Sequence, residues 1–146
     1  MARITYNGPT SDEIVDTSNI ASIVATFVDP VPGYWNRGAR GASIIYQEAT
    51  AASRLNILPH GDNKFYFQHL RRKDDAGRWR GELLSLRDKM ALDIIIVANC
   101  DWRASEGLFL DGRLSSLVVQ DFVRSGEPSN VIEWVRPNQL PSTGNW

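Results

Sequence analysis

The chain is poor in the features that usually declare a function. It has one cysteine, Cys100, in 146 residues, which excludes an internal disulfide and removes any sign of an oxidising compartment. Two histidines, His60 and His69, stand neither at the i, i+4 spacing that puts two imidazoles on one helix face nor within a Cys/His set, so no zinc site is expected. The longest apolar run, Ile94 to Ala98, is far shorter than the roughly 20 residues that span a bilayer. The opening MARITYNGP holds no apolar core of signal-peptide length. A cytoplasmic protein with no membrane contact is expected. A net charge of −1 excludes a generally basic nucleic-acid binder, because non-specific affinity for phosphates comes from clustered Lys and Arg. The sequence contains no phosphate-cradling glycine loop with a lysine, no dinucleotide fingerprint, no nucleophile elbow and no zinc-deaminase signature. The acidic pairs Asp12 with Glu13 and Asp74 with Asp75 are adjacent, which in extended backbone turns their side chains to opposite sides and suits turns better than a shared acid-base pair. No catalytic residue, metal or cofactor is expected.

What the chain does contain is a well-punctuated stretch from Phe109 to Val135. Asp111 is placed as an N-cap and Gly126 as the stop of a helix. Leu114, Leu117, Val118 and Phe122 recur on one face of a 3.6-residue period, with Val119 and Val123 widening the stripe. All six are expected to face the core, in a helix laid flat on a sheet. Val131, Ile132, Trp134 and Val135 then have strand composition.

Earlier in the chain, Arg3 to Tyr6 reads as a short strand ended by Asn7, Gly8 and Pro9. Thr17 or Ser18 caps a second amphipathic helix carrying Ile20, Ile23, Val24 and Phe27, closed by Asp29 and Pro30. From Ala42 the period changes to two. Ser43 to Glu48, Arg54 to Leu58 and Lys64 to Leu70 read as an antiparallel meander, with Pro59 to Asn63 as one of its turns. Glu82 to Leu86 supplies a further strand, and Leu92 to Ala98, the most β-branched run, is the candidate for a buried central strand. The tail from about 136 holds two prolines and a glycine and is expected to be loosely held.

Binding candidates lie in the loops. Pro30 to Arg40 carries Tyr34 and Trp35 side by side. They either fold back over the core or serve as anchors for a partner, since Tyr and Trp dominate binding hot spots. Trp79 and Trp102 are the tryptophans of two other polar connections. Net charge is −2 over residues 1–63, +4 over 64–90 and −3 over 91–146. The basic middle, with Arg71, Arg72 and Lys73, is either a solvated loop or a patch for an acidic partner.

An early helix, a meander, and then an apolar pair such as Phe109 and Leu110, a helix containing Asp121 and Phe122, Gly126 shortly after, and Trp134 closing a strand make a recognisable order. In that order the chain resembles the bacterial immunity proteins that neutralise polymorphic toxins, in the large family first associated with nucleic-acid deaminase toxins. The resemblance covers most of the chain, though only its last part is specific. It implies a small cytoplasmic α/β protein that binds a cognate toxin and blocks its active site or substrate path.

The expected fold is α+β, a single globular domain over 1–146 with a mostly antiparallel sheet and both helices packed on one face. The expected function is non-catalytic inhibition of a cognate protein toxin. Tyr34, Trp35, Trp79 and Trp102 would be its anchors, with Arg71 and Arg72 on the rim. A second reading is a small-molecule-binding domain with an apolar pocket lined by Trp79, Phe65, Phe67 and Tyr46, and a third is an enzyme using His69 or His60 with a carboxylate.

Overall fold

A computed structural model describes residues 2–9, 14–16, 20–36, 41–73, 77–99 and 101–146. In chain order its elements are β1 (Arg3–Asn7), β2 (Ile14–Asp16), α1 (Ile20–Val28), β3 (Ala42–Gln47), β4 (Ala52–His60), β5 (Lys64–Arg72), β6 (Arg80–Leu86), β7 (Ile95–Val97), β8 (Arg103–Ser105), β9 (Leu110–Asp111), α2 (Gly112–Ser125) and β10 (Glu133–Val135). Eight strands form one antiparallel sheet in the order β10-β6-β5-β4-β3-β1-β2, with β9 pairing β5 off that path. The remaining two, β7 and β8, form a separate ribbon. The architecture is α+β.

Alternation along the strands assigns each residue to a face. The registers Ile57↔Phe67 and Leu55↔His69 on β4 and β5, continued by Ile44 on β3 and Tyr6 on β1, put one row of side chains under the helices. There they meet Ile23 and Phe27 of α1 and Val118, Val119 and Phe122 of α2 in one buried cluster. The opposite row, Leu58 and Tyr66 with Leu84 and Leu86 of β6, packs instead against Ala98, Ala104, Leu108 and Phe109. Strand β5 is therefore buried on both faces where it begins: Phe65, Tyr66 and Phe67 are each at most 1% exposed.

The far edge of β5 is divided. Strand β6 pairs it at Gln68 and His69, while β9 pairs it at Lys64 and Phe65. In the gap between them the Ser85 hydroxyl accepts from the Phe67 backbone N–H at 2.9 Å and donates to the Leu108 carbonyl at 2.8 Å. One buried side chain thus replaces a ladder rung and ties the segment leading into α2 to the sheet.

Helix α2 obeys its punctuation. The Asp111 carboxylate accepts from the Leu114 N–H at 2.8 Å, and Gly126, at φ 74°, ends α2 in the left-handed region that favours glycine. Gly126 is required a second time, because a Cβ there would lie 2.7 Å from the Tyr46 ring. Likewise a Cβ on Gly112 would lie 2.1 Å from the Phe27 carbonyl oxygen, so the helices cross at a distance only glycine permits. The start of α1 expected at Thr17 or Ser18 lies outside the described residues.

Several expectations are corrected. Leu117 is 39% exposed and does not face the core. The buried face of α2 is centred on Ser115, Val118, Val119 and Phe122, one step round from the leucine stripe, because two serines are small enough to sit close against neighbours. Leu92 to Ala98 is not a buried central strand, since only Ile95–Val97 is extended, in the ribbon, and Ile94 and Val97 are 51% and 54% exposed. The strand buried on both faces is instead β5, an interior strand nine residues long whose Phe65, Tyr66 and Phe67 are all inaccessible. Pro59 and His60 continue β4 rather than turning it. Proline is tolerated there because β3 has ended at Ala42↔Ile57, and the Pro59 carbonyl on that side accepts instead from the Asn99 N–H. The tail from Arg136 onward reaches β8 near its end. Asn145 bonds the Arg103 backbone in both directions, and Trp146 packs on the second cluster while donating to the Pro141 carbonyl.

Ser85→Ala is expected to cost about 2 kcal/mol of unfolding free energy in urea titration, because it strands a buried N–H and a buried carbonyl together. Ser116→Ala, whose hydroxyl bonds only the Arg113 carbonyl one turn back in its own helix, should cost less than about 1 kcal/mol. Equal effects would remove Ser85 from its bridging role.

Candidate functional site

The helix face of the sheet is committed to the core, so the accessible chemistry lies on the outer face. The β7–β8 ribbon covers one end of that face, over Leu58 and Tyr66. His60 fastens it, its Nδ1–H donating to the Val97 carbonyl at 3.1 Å, and Asn99 adds bonds to Gly61 and Trp35. Beyond the ribbon the same face turns polar. Arg54 and Asn56 of β4, Gln68 and Arg72 of β5 and Glu82 of β6 share it, as the registers Asn56↔Gln68 and Ala52↔Arg72 require.

These side chains form a directed relay across three strands. The Arg54 Nε–H donates to Asn56 at 2.7 Å, the Asn56 amide donates to Gln68 at 2.7 Å, and the Gln68 amide donates to Glu82. A cation stands at one end and a carboxylate at the other. Trp79 lies against the cationic end, with the Arg72 guanidinium 4.5 Å and the Arg54 guanidinium 6.0 Å from its ring centroid, within the range of cation–π attraction. Burial in the first place, and the neighbouring Arg72 charge in the second, hold Arg54 below the ordinary guanidinium range, though it remains a cation at neutral pH. A trough of about 370 Å³ runs beside the relay, with Arg54, Asn56 and Gln68 on its floor and Trp102 in its wall. Such a surface offers directional hydrogen bonds, a stacked cation and two partly buried indoles, which is the chemistry of recognition.

Of the six residues singled out from sequence, Arg72, Trp79 and Trp102 are brought to this outer face. Arg71 lies at the end of the sheet, turned to the other side by the register Ser53↔Arg71, in a two-point ion pair with Glu127. That pair raises the Arg71 pKa and lowers that of Glu127. Both members are more than half exposed, so the pair contributes little stability. Tyr34 and Trp35 are buried at 7% and 0% exposure and cannot anchor a partner from where they lie. Trp35 packs tilted against Phe27 and edge-on to Phe65 and donates its indole N–H to the Thr26 carbonyl, while the Tyr34 and Tyr6 hydroxyls bond at 2.9 Å. Exposing one such ring would forfeit roughly 1.5–3 kcal/mol of burial, and the Asp62 carboxylate, which accepts from the Gly33 and Trp35 N–H groups, holds the loop in place. Arg54, Asn56, Gln68 and Glu82 had no motif to announce them, although Arg54 and Asn56 alternate with the apolar Leu55 and Ile57.

The apolar pocket expected from Trp79, Phe65, Phe67 and Tyr46 does not form. Phe65 and Phe67 are fully buried beneath the helices, Tyr46 packs on Phe122 on that same side, and Trp79 is on the other. His69 is also buried. Its Nε2–H donates to the Gly126 carbonyl at 2.9 Å, and its ring is edge-on to Phe122 and Trp134. Cys100, Asp12, Glu13, Asp74 and Asp75 lie outside the described residues. Among the described residues no group of three His, Cys, Asp or Glu is placed to hold a metal, and no helix is long and apolar enough to cross a membrane. Comparison with known protein families, curated proteins and solved structures finds no match to this chain.

Burial, opposed in part by the Gly126 hydrogen bond, pushes the His69 pKa below its ordinary value of 6.5. The unfolded chain therefore takes up this proton first. The stability it secures is complete above pH 6.5 and is lost as pH falls through 6.5 toward the folded pKa. The melting temperature is expected to drop as pH falls below 6.5, and His69→Gln should flatten that slope. An unchanged slope in the variant would assign the acid sensitivity elsewhere.

Proposed function

We propose that this protein is a non-catalytic immunity protein that binds a cognate bacterial toxin and neutralises it, and that the open half of the outer sheet face is the surface that meets the toxin. The observation that carries this reading is the stacking of Trp79 on Arg72 beside Arg54, at the end of a relay that uses the side-chain amides of Asn56 and Gln68. Trp and Arg are the residue types that concentrate binding energy at protein interfaces. Here they are held in fixed orientation by one another and by the sheet, so a partner would order little on contact. The polar relay suits a protein partner too, since each amide retains a lone pair or a second N–H for an incoming backbone group. The resemblance of the segment from Phe109 to Trp134 to toxin-immunity proteins supports the same function, and that segment builds the scaffold on which the outer face is carried. Arg72, Trp79 and Trp102 act as anchors, Arg54 joins them, and Arg71 stands on the rim.

The test is co-expression in a bacterial host with the toxin domain encoded next to this chain, together with binding of the two purified proteins. Wild type should restore growth, and Trp79→Ala should weaken binding by at least about tenfold without lowering the melting temperature by more than a few degrees. Met90→Ala, at a side chain 89% exposed on a different surface, should do neither. Full rescue by Trp79→Ala with unchanged affinity would move the interface off this face.

A further inference from the structure

At the end of the sheet away from the ribbon, the last residues of β5 and the first of β6 line a cavity of about 590 Å³. Its cations are Arg71, Arg72, Lys73, Arg78 and Arg80, and its carboxylates are Glu48 and Glu127. This is where the basic middle of the sequence is gathered in a chain whose overall charge is −1. Asp74 and Asp75 lie outside the described residues, and among the described lining residues five cations stand against two carboxylates. Arg71 is committed to Glu127 and Arg72 to Trp79, whereas Lys73, Arg78 and Arg80 make no ion pair with any described residue. The rest of the lining is small, with Ala51, Ala52, Gly77 and Gly81. Gly81, at φ 67°, has open space where a Cβ would lie, so the wall there is bare backbone. Like charges crowded around an apolar recess repel one another, and an incoming anion relieves that repulsion.

We infer that this cavity receives an acidic segment of the protein partner, an extended stretch carrying Asp or Glu side chains that reach Lys73, Arg78 and Arg80. The inference rests on the inhibitor reading and deepens it. Two features favour a peptide over a compact phosphate. Glu48 and Glu127 stand in the same lining and would oppose a dianion concentrated at one point, while an extended chain distributes its carboxylates to the cations and keeps them from the acids. The cavity also adjoins the outer face, because Arg72 both lines it and stacks on Trp79, so one partner can reach both. An acidic partner segment met by a basic recess would speed encounter and make association strongly salt-dependent.

The experiment measures binding of the purified toxin domain to wild type and to Arg78→Glu/Arg80→Glu across a salt series. Binding of a fluorescent peptide of about eight alternating Glu and Gly residues, sized to bridge several cations, is measured alongside. Both replaced side chains are exposed, and an unchanged melting temperature certifies the fold. The expected result is at least a tenfold loss of affinity for both probes, roughly the effect of removing charge complementarity, with a shallower salt dependence. Wild-type affinity of the double variant for the toxin domain, with Trp79→Ala still impaired, overturns this inference and leaves the inhibitor reading standing. Failure of wild type to bind the toxin domain at all overturns both. Binding of inorganic pyrophosphate in preference to the peptide assigns the cavity to a small anion and also overturns it.

Discussion

The structure depends on one strand being buried from both sides. Phe65 and Phe67 point into the layer of helices and Tyr66 into the opposite layer, all three essentially inaccessible. With roughly 1.5–3 kcal/mol gained for each such side chain, this short run links the two hydrophobic clusters. Everything else is arranged to keep β5 covered. On one face α1, α2 and the Tyr34–Trp35 turn close over the phenylalanines. On the other the ribbon, the segment before α2 and the tail close over the tyrosine.

That two-sided burial also decides where a partner can be met. The ribbon is short, three residues in each strand, and covers only the end of the outer face where β5 begins. Past Tyr66 the same row of positions continues as Gln68 and Arg72, and past Leu58 it runs back to Asn56 and Arg54. A face that is core at one end becomes a hydrogen-bonded polar surface at the other without any change of strand. The proposed recognition surface is thus the uncovered remainder of the sheet, held rigid by the core beneath it and by the Ser85 bridge at its split edge.

Much of this was legible in the sequence, for identifiable reasons. Asp111 and Gly126 punctuate α2 through local backbone chemistry, and local chemistry does not depend on the rest of the fold. The meander followed from its period of two. What failed was what depends on neighbours. Leu117 belongs to a regular stripe, yet Ser115 and Ser116 take the close positions, because contact distance and not hydrophobicity selects the buried face. The run Leu92 to Ala98 has the composition of a central strand, but among the described residues its extended part pairs with β8 alone. Tyr34 and Trp35 admitted two fates, and the Asp62 carboxylate, 29 residues from Gly33, settles them in the core. Arg54, Asn56, Gln68 and Glu82 come from three strands, so no linear motif could have grouped them. Trp79 and Trp102 were singled out by residue type alone, and the face they share is visible only after folding.

The outer sheet face, and not the helices or the ribbon, is proposed to meet the protein partner. Hydroxyl-radical footprinting of the chain, free and bound to the toxin domain, tests it most directly. Trp79 and Trp102 are partly accessible and reactive, while Met90, 89% exposed, and Leu117, 39% exposed, report on other surfaces. Oxidation of Trp79 and Trp102 is expected to fall on binding while Met90 and Leu117 are modified as before. Protection of Met90 or Leu117 with Trp79 unchanged would contradict it.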